Sequence, residues 1–213
     1  MAVIIGRIIS IIKQDFRGLF FLIFYKIFVY VKMGISTLVT YFICFLKNIK
    51  IDKNNSFYGI PILVRRPLST IKLGKNCIMR SDITTNLACK KRCIIRTYNQ
   101  NALIEIGNNT GINGSVIAAA EKIIIGKDVL IGYNCYISDT DNHVINPLMR
   151  HSGMPETSPI YLNDNVWLGV NVVILKGVTI GKNSVIGANS LVLSNIPENV
   201  LAIGNPCRVI KKI

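Results

Sequence analysis

From residue 162 the chain divides without a gap into units of six: LNDNVW, LGVNVV, ILKGVT, IGKNSV, IGANSL and VLSNIP. Leu162, Leu168, Ile174, Ile180, Ile186 and Val192 lead these units, and Val166, Val172, Val178, Ser184 and Ser190 hold the fifth place. Looser copies of the rule begin at Ile106 and Ile125, with a weaker LGKNCI at Leu73. A large aliphatic at the first place and a small residue at the fifth cannot describe a helix of period 3.6, because a repeat of six drifts around its surface. The pattern describes short strands joined by tight bends. Gly or Asn at the second and fourth places supplies residues that tolerate unusual backbone angles. Three units make one triangular coil, and coils stack about 4.8 Å apart through backbone hydrogen bonds. Cys135, at a fifth place, is then a small core residue.

The first fifty residues read differently. They are apolar, yet Arg7, Lys13, Asp15, Arg17, Lys26, Lys32, Lys47 and Lys50 interrupt them, and the longest uncharged run, Met33 to Leu46, is shorter than the roughly 18 to 20 residues of a spanning helix. This disfavours a transmembrane segment. Leu, Phe and Ile mixed with spaced basic residues predict two or three helices, with Gly18 and Gly34 as breaks and Asp15 or Ser36 as caps. Such helices either pack against their own domain or a neighbouring subunit, or lie in a membrane interface. The expected division is a helical segment over 1–55, a β domain over 56–206 with an irregular loop over 138–161, and a tail over 207–213.

Composition sharpens this picture in two ways. Residues 1–100 hold 17 Lys/Arg against 3 Asp/Glu, whereas residues 101–213 hold 8 of each, so the whole net charge of +14 sits in the first half. An anionic membrane surface or an anionic glycan suits that asymmetry, while no nucleic-acid motif accompanies it. The six cysteines (Cys44, Cys77, Cys89, Cys93, Cys135, Cys207) show no paired spacing, and no cleavable signal is evident, which predicts a cytoplasmic protein, peripheral at the inner membrane face if the first helices meet lipid. Cys89 and Cys93 bracket KKR but lack the spacing of a thiolate zinc site.

Between ISDT and LNDNVW the frame is lost from about Thr140 to Tyr161, and this interruption holds both histidines, His143 and His151, with Asp139 and Asp141 close by. A long loop inside a compact repeat is usually functional. The repeat itself resembles that of the left-handed β-helix acyltransferases, whose hand departs from the usual crossover rule; the implied fold is mainly β, a left-handed parallel β-helix with a helical N-terminal segment. The run from Asp139 to Ile213 is similar to the sugar O-acetyltransferases of the galactoside, maltose and capsule or lipopolysaccharide type. The histidine loop is followed by Pro159-Ile160 and NVWLG (Asn165 to Gly169), and the chain closes on IPENVLAIGNPCRVIKKI.

By that resemblance His143 is a general base that takes the proton of an acceptor hydroxyl as its oxygen attacks the thioester of acetyl-CoA, with no metal. Asp139, Asp141 or a backbone carbonyl would orient the ring, and a backbone N–H would stabilise the oxyanion. The resemblance also implies a homotrimer that holds acetyl-CoA between adjacent β-helices. It points to Gly169 and Val170, Gly187 and Ala188, Leu193 and Ser194, and Arg208 and Lys211 near the phosphates. Trp167 either shapes that groove or packs against a neighbour, and Asn113 either contacts the acceptor sugar or merely makes a bend. AAAEK (118–122) shifts the frame by one residue and is a candidate lining of the same pocket; Lys176 and Lys182 read as solvated bend residues. The expected function is acetyl transfer to a sugar hydroxyl of a surface polysaccharide or its precursor. A serine O-acetyltransferase, which also places helices before its repeats, and a non-catalytic scaffold are the rivals. A β-helix zinc carbonic anhydrase would need three histidine ligands, and the chain has two.

Overall fold

A computed structural model describes residues 14–84 and 90–213. Three sheets form the faces of a prism: A runs from Lys50–Ile51 to Thr179–Ile180, B from Ser56–Tyr58 to Arg208–Lys212 and C from Ile62–Val64 to Leu191–Val192, and strands next to one another in a sheet come from successive turns of the coil. Pairing is parallel throughout except at the last strand. The protein is a left-handed parallel β-helix with one long N-terminal helix. The six leading aliphatics from Leu162 to Val192 are at most 1% exposed, and the fifth-place residues Val166 to Ser190 are buried with them. Stacking equivalent positions of successive coils is what makes one continuous core from a repeat of six.

The corners explain the asparagines. Asn165, Asn171, Asn183 and Asn189, all at fourth places, adopt positive φ, as do Asn134 and Asn199. Their side chains form ladders up the prism: Asn134 donates to Asn171 (2.8 Å) and Asn171 to Asn189 (3.0 Å), while Asn165 donates to Asn183 (3.0 Å) and Asn183 to Asn199 (2.7 Å). Asparagine thus tolerates the left-handed corner and uses its amide to bind the next coil.

Each end of the prism carries an added element. The helix Phe16–Leu46, hereafter α1, is capped by Asp15, whose carboxylate accepts from the Gly18 N–H (2.8 Å). It runs unbroken past both expected breaks: Gly18 lies in its first turn, Gly34 in its middle, and Ser36 is a buried interior residue rather than a cap. Residues 1–13 lie outside the described residues. Ser36, Thr40 and Cys44 form the stripe that faces the first coil, and the two hydroxyls donate to the carbonyls of Lys32 and Ser36. Packing of this stripe outweighs the roughly 1 kcal/mol that an interior glycine costs. Thr37 accepts from the Phe57 N–H (3.0 Å) and the Tyr41 hydroxyl donates to the Asp52 carbonyl (2.9 Å), so the helix satisfies backbone groups of the first coil. The coil itself begins at Lys50–Ile51, a few residues before position 56. At the far end, residues Arg208–Lys212 form a strand antiparallel to Val200–Ile203.

By length and composition α1 is sufficient to cross a membrane, despite Lys26 and Lys32. A clasp holds α1 to the β-helix: Lys32 donates to Asp82 (2.9 Å) and to the Thr84 hydroxyl, and Asp82 accepts from the Thr84 N–H. The hydrogen bond from the Thr84 side chain, followed by the contact with Lys32, holds the Asp82 carboxyl down to about 2. A carboxyl depressed on folding stabilises the fold above its unfolded value near 4 and loses that contribution as pH falls toward 2. Asp82→Asn is therefore expected to melt below the parent at pH 6, with the difference vanishing between about pH 4 and pH 2 in thermal unfolding scans.

Candidate functional site

The interrupting loop leaves the prism at the corner between sheets C and A, after the strand Tyr136–Ser138, and returns at Ile160–Leu162. Its base is stapled by polar groups drawn from successive coils. Asp139 is fully buried, and its carboxylate accepts from the backbone N–H groups of Ala120 (2.6 Å), Glu121 (2.8 Å) and Lys122 (2.7 Å). Burial pushes this carboxyl above its ordinary value, against the pull of those three donors. Thr140 and Thr157 pair across the loop, and the Thr157 hydroxyl donates to Glu121 (2.7 Å). Lys176 donates to Glu156 (2.9 Å) and to Asp141, and the two carboxylates raise its own pKa.

These contacts change the roles expected of the aspartates. No hydrogen bond or ion pair joins Asp139 or Asp141 to His143 among the described residues; the first holds backbone N–H groups and the second holds Lys176. Lys176 is accordingly a clamp across the loop rather than a solvated bend residue. The AAAEK segment supplies the N–H groups that Asp139 binds. His143 and His151 are both exposed, as are the apolar residues Ile145, Leu148 and Met154 of the loop tip. Beneath the loop lies a depression of about 360 Å³, whose lining includes Tyr98, Asn99, Ala120, Thr140 and Asn142. Tyr98 and Asn99 belong to no repeat unit that the sequence makes visible, and only the stacking of coils brings them under the loop.

A second depression, about 430 Å³, lies on sheet B. Trp167, Gly169, Val170, Gly187 and Ala188 line it together, as does Gly132, which the sequence reading passed over. Trp167 therefore walls the groove of its own chain. The glycines follow from stacking: a Cβ on Gly132 would sit 2.6 Å from the Gly169 carbonyl oxygen, and one on Gly169 would sit 2.7 Å from the Ala188 nitrogen. With no side chains in this column, the groove floor is bare backbone. Lys211 pairs in register with Leu201, which borders the groove, and Arg208 lies on the same terminal strand. Leu193 and Ser194 are exposed beyond the strand Leu191–Val192 of sheet C, outside this depression of the single chain.

Asn113 ends the strand Gly111–Asn113 in the coil next to Gly132, so it closes one end of the glycine column. Its side-chain oxygen is buried and makes no hydrogen bond. A buried acceptor without a donor is costly and suits a ligand that brings one. Among the described residues, no group of three His, Cys, Asp or Glu side chains is arranged to hold a metal ion.

Residues 159–194 match the family model for the bacterial transferase hexapeptide of six repeats, and residues 122–138 match the hexapeptide repeat of succinyl-transferase. The chain is a hexapeptide-repeat protein, similar to the acetyltransferases that carry this repeat. It is 37% identical over 142 residues to a galactoside O-acetyltransferase of Lactococcus lactis, a match that covers 67% of this chain and 63% of that protein. It is 33% identical to a maltose O-acetyltransferase of Clostridium difficile, covering 71% of this chain and 66% of that one at a TM-score of 0.42. A hexapeptide transferase family protein of Anaplasma phagocytophilum shares the fold at a TM-score of 0.53 and 18% identity, over 77% of this chain and 78% of that one. The chain spans 63% or less of the length of the curated relatives reported for it.

Proposed function

We propose that this hexapeptide-repeat protein is an acetyl-CoA-dependent O-acetyltransferase acting on a sugar hydroxyl, with His143 as the general base. The observation that carries the reading is the groove on sheet B, an apolar trough with a floor of bare backbone in which a thioester arm can lie extended. Trp167, Val170 and Ala188 would flank that arm, and Lys211 and Arg208 offer charge to phosphates at the end bordered by Leu201. Acetyl-CoA supplies an activated acyl group. His143 would accept the proton of the attacking hydroxyl through a neutral imidazole and pass it on to the departing thiol. The unpartnered oxygen of Asn113 can accept from a hydroxyl of the acceptor. A sugar acceptor is favoured because the Lactococcus lactis and Clostridium difficile relatives are named for galactoside and maltose. The five described cysteines are buried and free, which suits the reducing cytoplasm.

A homotrimer belongs to this proposal. The loop that carries His143 leaves the corner between sheets C and A, which does not border sheet B, so a neighbouring copy would supply the imidazole to the groove. That copy would also cover Ile145, Leu148 and Met154, which are 72%, 91% and 87% exposed in the single chain.

The test is thiol release from acetyl-CoA by purified protein across a panel of glycans, nucleotide sugars and L-serine. Glycan-dependent release supports the reading; serine-dependent release replaces it with a serine O-acetyltransferase; no release together with no acetyl-CoA binding by calorimetry leaves a scaffold. Within the groove, Val185→Glu puts a charge into an apolar trough at a half-buried position. We expect it to raise KM for acetyl-CoA about tenfold with the melting temperature little changed, the pattern of lost ground-state binding.

A further inference from the structure

We propose that α1 docks the protein on an anionic lipid bilayer, lying in the plane of the interface with its outer face among the upper acyl chains. The second half of the helix has two opposite faces, while its first half is apolar and exposed on most sides, with Phe21, Ile23 and Tyr30 at least half exposed. Ser36, Thr40 and Cys44, at intervals of four, are its buried residues and meet the first coil. Tyr25 donates to the Thr84 carbonyl and Lys32 pairs with Asp82, so the same side is held against the β-helix well toward the N-terminus. The other side carries Phe24, Ile27, Val31, Ile35, Leu38 and Phe42, at intervals of three and four, all large, apolar and more than half exposed. Phe20 and Phe45 extend this stripe toward both ends, and Phe45 is 80% exposed. Residues at these intervals share one helix face, so the stripe runs most of the length of a helix about 46 Å long.

Charge separates lipid from a second copy of the chain. Lys26 borders a small hollow with Tyr58 and Thr84, and Lys32 is turned to Asp82, so both lysines of α1 lie toward the β-helix and neither interrupts the apolar stripe. The half of the chain that contains α1 carries 17 Lys/Arg against 3 Asp/Glu. Two copies meeting through their stripes would bring two such basic halves together, whereas an anionic bilayer receives both the apolar face and the charge. The contacts from Tyr25 to Cys44 favour a helix lying flat over one that crosses, because a crossing helix would have to leave the Lys32–Asp82 clasp and the buried stripe.

The experiment uses the full chain and phosphatidylcholine vesicles with or without phosphatidylglycerol. The expected result is co-flotation with the anionic vesicles, weakened by salt. Leu38→Trp should show added fluorescence, relative to the parent with its single Trp167, that bromine atoms high on the acyl chains quench more than deep ones. Leu38→Asp combined with Phe42→Asp should lower partitioning at least tenfold while cooperative unfolding is retained. Should that double variant fail to fold, the quenching profile of Leu38→Trp still decides. The proposal is overturned by absence of flotation, or by strongest quenching from deep bromines, which would mean a crossing helix. Oligomers in lipid-free solution that the double substitution dissociates would also overturn it, since a second copy would then be the occupant.

Discussion

Replacing His143 with alanine is expected to lower acetyl transfer about 10²- to 10⁴-fold, the range a positioned general base contributes. At about 1.4 kcal/mol per tenfold, this is a loss of roughly 3 to 5 kcal/mol of transition-state stabilisation. The residue is exposed and makes no hydrogen bond among the described residues, so the substitution should leave the melting temperature within about 1 °C of the parent. Acetyl-CoA affinity measured by calorimetry should be little changed, because the proposed contacts with the thioester arm come from Trp167, Val170 and Ala188 and not from the imidazole. The measurement is kcat and KM with saturating acetyl-CoA and the best acceptor from the panel. Activity retained within threefold would remove His143 from the chemistry and leave the loop as a binding element.

The second large effect is on stability. Asp139→Ala strips the acceptor from three backbone N–H groups at the base of the loop, at a position with no exposure. Leaving buried donors unpaired costs about 1 to 3 kcal/mol each, so a loss of about 3 kcal/mol or more is expected. In a domain of this size that corresponds to a fall of roughly 6 to 12 °C in melting temperature. Asp139→Asn keeps a carbonyl oxygen for part of the set and should lose less. Because Asp139 makes no contact with His143, its effect on turnover should follow loop order, and proteolysis within residues 140–158 should accelerate in step with lost activity. Lost activity in Asp139→Ala with an unchanged melt would instead mean that the carboxylate acts on the imidazole.

The repeat units were legible in the chain because a solenoid is locally periodic. A leading aliphatic in one unit meets its counterpart one coil away, so burial of Leu168 or Ile186 follows from its place in the unit. The fourth-place asparagines announced the corners for the same reason. The interruption after Ser138 was legible as a loss of frame. Its internal wiring was not. Lys176 lies 35 positions from Asp141, and Asp139 finds its donors 17 to 19 positions earlier, so a short-range reading that paired the aspartates with the nearby histidine missed both. Leu193 and Ser194, implied by resemblance for a groove between two copies, lie beyond a sheet C strand and outside the depression that a single chain forms.

By itself the sequence determined the architecture, the core and the corners, since each depends on a pattern repeated every six residues and on the backbone tolerance of Gly and Asn. It also determined the charge imbalance and the place where a histidine-bearing loop interrupts the repeat. Tertiary structure decided which partner each polar side chain takes, because stacked coils bring together groups that lie far apart in the chain. It also decided that α1 is continuous, because a stripe of small residues docked on the first coil holds Gly34 within a single helix. Finally, it set the loop and the groove on opposite sides of the prism, a separation fixed by which corner the chain leaves and not by any residue type.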